Sequence, residues 1–200
     1  MVKFVYLASQ SPRRRQLLEQ LGVAYELLLP GTEEDSEALE TALKNEAPAA
    51  YVQRVTGLKL DAAFARLARR NLPPAPILCS DTTVALGRVI YGKPDDARHA
   101  RAMLTELAGK THRVLTAVVV RHGSQRFSAL STSRVSFEAM TPAQISGYVA
   151  TGEPLGKAGA YAIQGRASMH VTRINGSYSG IMGLPLWETA SLLRSVGFEI

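Results

Sequence analysis

Ser9, Ser11, Arg13 and Arg14 place two hydroxyls and two guanidinium groups close together around Pro12. If a helix begins there, its unpaired backbone N–H groups, its dipole and both guanidinium groups converge on one spot, an arrangement suited to a phosphate. The competing possibility is that Ser11 and Pro12 only start a surface helix whose arginines face water. Further along, Asp81 is followed by Thr82 and Thr83. A carboxylate beside hydroxyls can bind a divalent cation or activate water, and can equally close a turn by accepting hydrogen bonds from the next amides. The acidic pair Glu33 and Glu34 either completes a metal site or forms a solvated face. Lys93, in Gly92-Lys93-Pro94, sits on a connection short and stiff enough to hold its ammonium near Asp81. Lys157 and Gln164 lie among Gly152, Gly156, Gly159, Gly165, Gly176 and Gly180, and glycine lets a ligand approach the backbone closely.

Other chemistries lack their signatures. His99, His112, His122 and His170 show neither HExxH spacing nor cysteine partners, and there is no GxSxG, GxxxxGK[ST] or GxGxxG. The single cysteine, Cys79, excludes an internal disulfide, reads as a core residue and points to a reducing cytoplasm. Trp187, at a helix start, reads as packing.

The elements that must position these groups follow from periodicity. Residues 3–8 form a short buried strand, and Ser9-Gln10-Ser11-Pro12 leads into a helix over 13–21 with Leu17, Leu18 and Leu21 on one face and Gly22 as its stop. A strand over 25–29 precedes an acidic connection containing Glu33, Glu34, Asp35, Glu37 and Glu40. An amphipathic helix spans about 49–70 despite Gly57, and the Pro-rich run 73–76 ends it. Residues 77–80 then form a buried strand that delivers Asp81 at its end. Gly87 turns a hairpin joining 83–86 to Val89-Ile90, and a helix covers 95–108. Long strands over 114–120 and 127–137 are joined through His122-Gly123-Ser124, and Thr141-Pro142 opens a helix to about 150. After the Gly-rich stretch 152–165 come a strand over 168–174, a turn at 175–178 and a helix over 187–196. Helices alternating with strands and interposed hairpins predict a mixed sheet in a single α/β domain spanning 1–200.

Composition agrees. With 46% hydrophobic and 20% charged residues in 200 positions, the chain can bury an aliphatic core without staples. The net charge of +6 favours an anionic partner, but the basic residues are dispersed except for Arg13-Arg14-Arg15, so strong nucleic-acid binding is not expected. No apolar run approaches the roughly 20 residues of a membrane span.

Taken in order, Leu7-Ala8-Ser9-Gln10-Ser11-Pro12-Arg13-Arg14, Ser80-Asp81-Thr82-Thr83-Val84, Gly92-Lys93-Pro94, Glu153-Pro154 to Gly165, and Gly176 to Pro185 resemble the motif series of the Maf nucleotide pyrophosphatases. The series covers positions 7 to 185. The resemblance implies an ITPase-like fold, a twisted mixed sheet with flanking helices and two lobes around a central cleft, usually in a homodimer, in a family whose bacterial members were first named for an association with septum formation. It also implies hydrolysis of nucleoside triphosphates to the monophosphate and pyrophosphate with a divalent metal, Mg²⁺ or Mn²⁺. Arg13, Thr82 and Gln164 match the residues carried by the dTTP/UTP branch, where a 7-methyl-GTP branch has Trp and Glu at the first and last of these. An amide can both donate to and accept from a pyrimidine edge.

By the same resemblance, Asp81 would activate water and hold the metal with Glu33 or Glu34, between which the sequence Gly31-Thr32-Glu33-Glu34 leaves the choice open. Arg14, Lys59, Lys93, Ser9 and Ser11 would stabilise the growing phosphate charge, while Arg13, Thr82, Lys157 and Gln164 contact substrate. The rival reading is a non-enzymatic regulator of division that binds nucleic acid or protein through its basic surface.

Overall fold

The structure, a computed structural model, describes residues 4–32, 34 and 38–200. Seven strands and six helices follow in chain order as β1 (Val5–Leu7), α1 (Pro12–Gln20), β2 (Tyr25–Leu27), α2 (Pro48–Arg69), β3 (Ile77–Leu86), β4 (Val89–Tyr91), α3 (Ala97–Leu107), β5 (Thr111–His122), β6 (Gln125–Phe137), α4 (Pro142–Val149), β7 (Val171–Asn175), α5 (Tyr178–Met182) and α6 (Leu186–Ser195). The strands form one mixed sheet in the order β2-β1-β3-β5-β6-β7, with β4 paired to the far end of β3. β1 runs parallel to both β2 and β3, and the remaining pairs are antiparallel.

Side-chain alternation along β3 assigns each face of the sheet to its own cover. Ile77, Cys79 and Ala85 point towards α2, where they join two apolar clusters with Leu60 and Ala63 and with Tyr51, Val52 and Val55. Leu78 and Val84 point the other way, into the main core shared with residues of α1, α3, α4 and α6. Between these apolar ends lies the polar run Ser80-Asp81-Thr82-Thr83.

That run is where the expected strand end proves wrong. β3 does not stop at Ser80; it runs on to Leu86, ten residues in all, and Asp81 lies mid-strand opposite Ala117 of β5. The polar residues imitate a turn in sequence because only one edge of the strand is covered there. β5 pairs with β3 from Ile77 to Ala85, whereas on the other edge β1 reaches only Leu78 and β4 begins at Val84. The uncovered stretch 79–83 is the floor of a cleft.

Other departures are local. The Asn175-to-Tyr178 turn leads into α5, whose five residues are too few to show a helical period. The last strand starts at Val171, after a 3₁₀ turn over Arg166–His170. Gly57 lies inside α2, where a Cβ would stand 2.8 Å from an Nη at the far end of the flexible Arg126 side chain. Trp187 is 80% exposed, so it does not pack as expected.

Candidate active site

The open edge of β3 lies at the centre of a cleft of about 550 Å³. Ser9, Ser11, Arg13, Arg14, Glu34, Lys59, Asp81, Thr82, Lys93, Lys157 and Gln164, drawn from six separate parts of the chain, all line it. Glu33 lies outside the described residues.

Asp81 is held from the α2 side. Lys59 sits on the inward stripe of that helix, between Val55 and Ala63, and its Nζ lies 2.6 Å from Asp81 Oδ1. Burial opposes a charge on Lys59, but Asp81 and Glu40 outweigh it and raise its proton affinity. The lysine therefore stays an ammonium and fixes one oxygen of Asp81.

On the opposite side of the sheet, the arginines of α1 are aimed by the C-terminal end of α5. Arg13 Nε donates to the Met182 carbonyl at 3.1 Å and Arg14 Nε to the Gly183 carbonyl at 2.8 Å. Cations suit the unpaired carbonyls that end a helix. Ser80 Oγ donates to the same Gly183 carbonyl at 3.0 Å, and Thr82 Oγ1 pairs with Thr116 Oγ1, which reaches the Gly180 carbonyl. Burial lowers both guanidinium pKa values, and the mutual repulsion of the neighbours adds to it at Arg13.

Ser9 braces the turn that leads into α1. Its Oγ accepts from the Ser11 N–H at 3.2 Å and from Arg14 Nη1 at 3.0 Å. Ser11 stands at the N-cap with no side-chain cap hydrogen bond of its own.

Lys93 is not in contact with Asp81. Its Nζ lies 3.3 Å from both oxygens of Glu40, and Glu40 also accepts from Lys59 at 2.7 Å, so the groups form a chain Asp81–Lys59–Glu40–Lys93. Glu40 was visible in the sequence only as one member of an acidic run. Burial opposes its charge, but Lys59 and Lys93 prevail and hold its carboxyl below the usual range. Glu34 is engaged elsewhere: Arg66 and Arg69 bind its carboxylate, and the Arg66 hydrogen bonds bring it down to about 2. Arg66, only 4% exposed, also donates to the Leu28 carbonyl. Its signal was present in sequence as a cation on the apolar stripe of α2.

The Gly-rich segment is tied down, and two of its glycines, Gly159 and Gly165, make room for neighbouring side chains, whereas Gly156 has open space around it and lines the cleft. The Gly159 N–H donates to the Gly92 carbonyl, and a Cβ on Gly159 would lie 2.9 Å from the Val84 side chain. Gly165 faces the Glu153 carboxylate, which Tyr148 holds. This places Lys157 and Gln164 on the wall of the cleft. Burial lowers the Lys157 ammonium, and Arg13 adds to the effect.

Among the described residues no group of three His, Cys, Asp or Glu could hold an ion unaided. A hard cation such as Mg²⁺ usually takes only one or two carboxylates and completes its shell with phosphate oxygens and water. Asp81 fits that demand, since only its Oδ1 is taken by Lys59 and it borders the cleft.

A mixed α/β sheet with an acidic strand centre facing arginines and lysines across one cleft defines a phosphate-handling enzyme. The family model described as Maf-like protein matches residues 4–196, and the chain belongs to the Maf family. Its relatives include the dTTP/UTP pyrophosphatase of Polaromonas sp., 67% identical over 197 residues and 98% of each chain. Those of Albidiferax ferrireducens and Cupriavidus metallidurans are 64% and 63% identical over the full length of both chains.

Proposed function

We propose that the protein is a dTTP/UTP pyrophosphatase, hydrolysing a pyrimidine nucleoside triphosphate to its monophosphate and pyrophosphate. The observation that carries this reading is the convergence of Asp81 with Arg14, Lys59 and Lys93 around one cleft, in a chain so similar to relatives bearing that name. In our reading Asp81 takes a proton from a water as its oxygen attacks the α-phosphorus. The new O–P bond forms as the bond from the α-phosphorus to the bridging oxygen breaks, and pyrophosphate leaves with that oxygen. Lys59 orients Asp81 through its 2.6 Å contact, and Arg14, Lys59 and Lys93 oppose the charge that builds on the phosphates. A divalent cation, Mg²⁺ or Mn²⁺, would be held by Asp81 and the substrate, with Glu33 or Glu34 as the second carboxylate, and would neutralise phosphate charge. For Glu34 that role requires release from Arg66 and Arg69.

Arg13, Thr82 and Gln164 line the same cleft and are the residues we assign to recognition of the nucleotide. No helix among the described residues is long and apolar enough to cross a membrane, and we place the reaction in the cytoplasm, where the buried free thiol of Cys79 stays reduced. A homodimer is the assembly we expect, to be decided by sedimentation of the purified chain.

The test is a panel of ordinary and modified nucleoside triphosphates with Mg²⁺ or Mn²⁺, its products identified by mass. Metal-dependent monophosphate and pyrophosphate from UTP or dTTP are expected. Release of single phosphate would mean attack at another phosphorus, and no turnover together with salt-sensitive DNA or RNA binding would favour the regulator instead.

A further inference from the structure

Glu40 belongs to none of the motifs, yet its carboxylate occupies the space between the two lysines assigned to the triphosphate. Oε1 lies 2.7 Å from Lys59 Nζ, and Lys93 Nζ is 3.3 Å from each carboxylate oxygen. The backbone beneath is anchored, because the Tyr51 hydroxyl donates to the Glu40 carbonyl at 2.8 Å and so ties the turn Ala38–Glu40 to α2. Two oxygens of one anionic group shared by two ammoniums is also how a phosphate would sit on the same cations. An ammonium has three donors, and Lys59 already commits one to Asp81. The side chain is 28% exposed and grows from a single short turn, so it can swing aside without disturbing the sheet.

Building on the reading of this cleft as a triphosphate site, we propose that Glu40 is an internal competitor for the substrate's phosphates. In the free enzyme its carboxylate stands in for a phosphate group between Lys59 and Lys93, and an incoming polyphosphate displaces it. Substrate and pyrophosphate are then both held less tightly than the two lysines would hold them unaided, which favours product release. The competition is electrostatic and weakens as salt screens the exposed Lys93.

The experiment is calorimetric titration of the full chain with sodium pyrophosphate in EDTA, comparing wild type, Glu40→Gln and Glu40→Asp. Glu26→Gln, an exposed residue of β2 that does not line the cleft, controls for loss of one negative charge. Glu40→Gln is expected to bind pyrophosphate about tenfold more tightly, as loss of a charge-assisted contact implies, with a matching fall in KM for UTP. Glu40→Asp and Glu26→Gln should stay within about threefold of wild type, less than 1 kcal/mol. Equal or weaker pyrophosphate binding by Glu40→Gln overturns the proposal, as does a raised Mg²⁺ requirement at unchanged pyrophosphate affinity, which would make Glu40 a metal ligand. If wild type turns over UTP and Glu40→Gln shows no gain, the competitor role alone fails. If neither protein binds pyrophosphate nor turns over UTP, the reading of the cleft fails with it.

Discussion

Asp81 and Lys59 form a pair in which neither partner is exposed enough for water to replace the other. Their side chains are 12% and 18% exposed, and the Lys59 Nζ contact fixes one carboxylate oxygen while leaving the other to act. In the proposed mechanism that ammonium orients the base. Asp81→Asn preserves the shape of the side chain and removes its capacity to take a proton. The expected result is a fall in kcat for UTP of about 10²- to 10⁴-fold, the usual worth of a positioned general base. KM should change much less, because the phosphate contacts proposed for Arg14 and Lys93 are untouched by the substitution. Pyrophosphate release under saturating UTP and metal measures this, and a kcat within threefold of wild type would remove Asp81 from the base role.

At the level of elements, the cleft exists because β1 and β4 pair with opposite ends of β3 and leave 79–83 open between them. The Gly-rich segment closes over that opening by packing on β3 at Val84, and Gly159 is the point of contact. Its φ of +68° lies in the left-handed region, and a Cβ would meet three Val84 side-chain carbons at 2.9 Å. Gly159→Ala should therefore cost about 1–3 kcal/mol of stability, from overpacking combined with an unfavourable backbone conformation. Urea denaturation reads the loss directly, and a change under about 0.5 kcal/mol would mean the segment moves away from β3 without cost. The long elements could be read in advance: α2 has its inward stripe and a proline at each boundary, and β5 and β6 flank an evident Gly123 turn. The motif residues that line the cleft could be named in advance as well. What could not be read depends on tertiary pairing. Ser80-Asp81-Thr82-Thr83 reads as a strand end because sequence does not reveal that β5 covers one edge only. Glu40 has no periodic context, and its partners lie 19 and 53 positions away. Nor does sequence reveal that Gly159 and Gly165 make room for Val84 and Glu153, while Gly156 borders the cleft.

Across the whole molecule the charge balance is +6, so further protons are taken up against a field that already repels them. His112 makes this cost specific. It lies on β5 in edge contact with the rings of Phe137 and Tyr161, with Nε2 2.9 Å from the Tyr161 hydroxyl and Nδ1 buried without a partner among the described residues. Burial pushes its imidazole from 6.5 down to about 4. Below about pH 6.5 the unfolded chain binds a proton that the folded chain refuses, so stability declines from there until the folded imidazole titrates near 4. Glu34 acts lower on the scale. Its carboxyl is held at about 2 against an ordinary 4.5, chiefly by the Arg66 hydrogen bonds, so its contribution is complete above 4.5 and lost as pH falls through 2. The urea midpoint should therefore hold level between pH 7 and 8, decline below 6.5 and keep falling below 4.5. His112→Gln retains a partner for the Tyr161 hydroxyl without a titrating ring, and should flatten the segment from 6.5 to 4 while leaving the lower one intact. A His112→Gln profile that still declines like wild type between 6.5 and 4 would mean that the buried imidazole accepts its proton in the folded protein, and that some other group sets the acid limit.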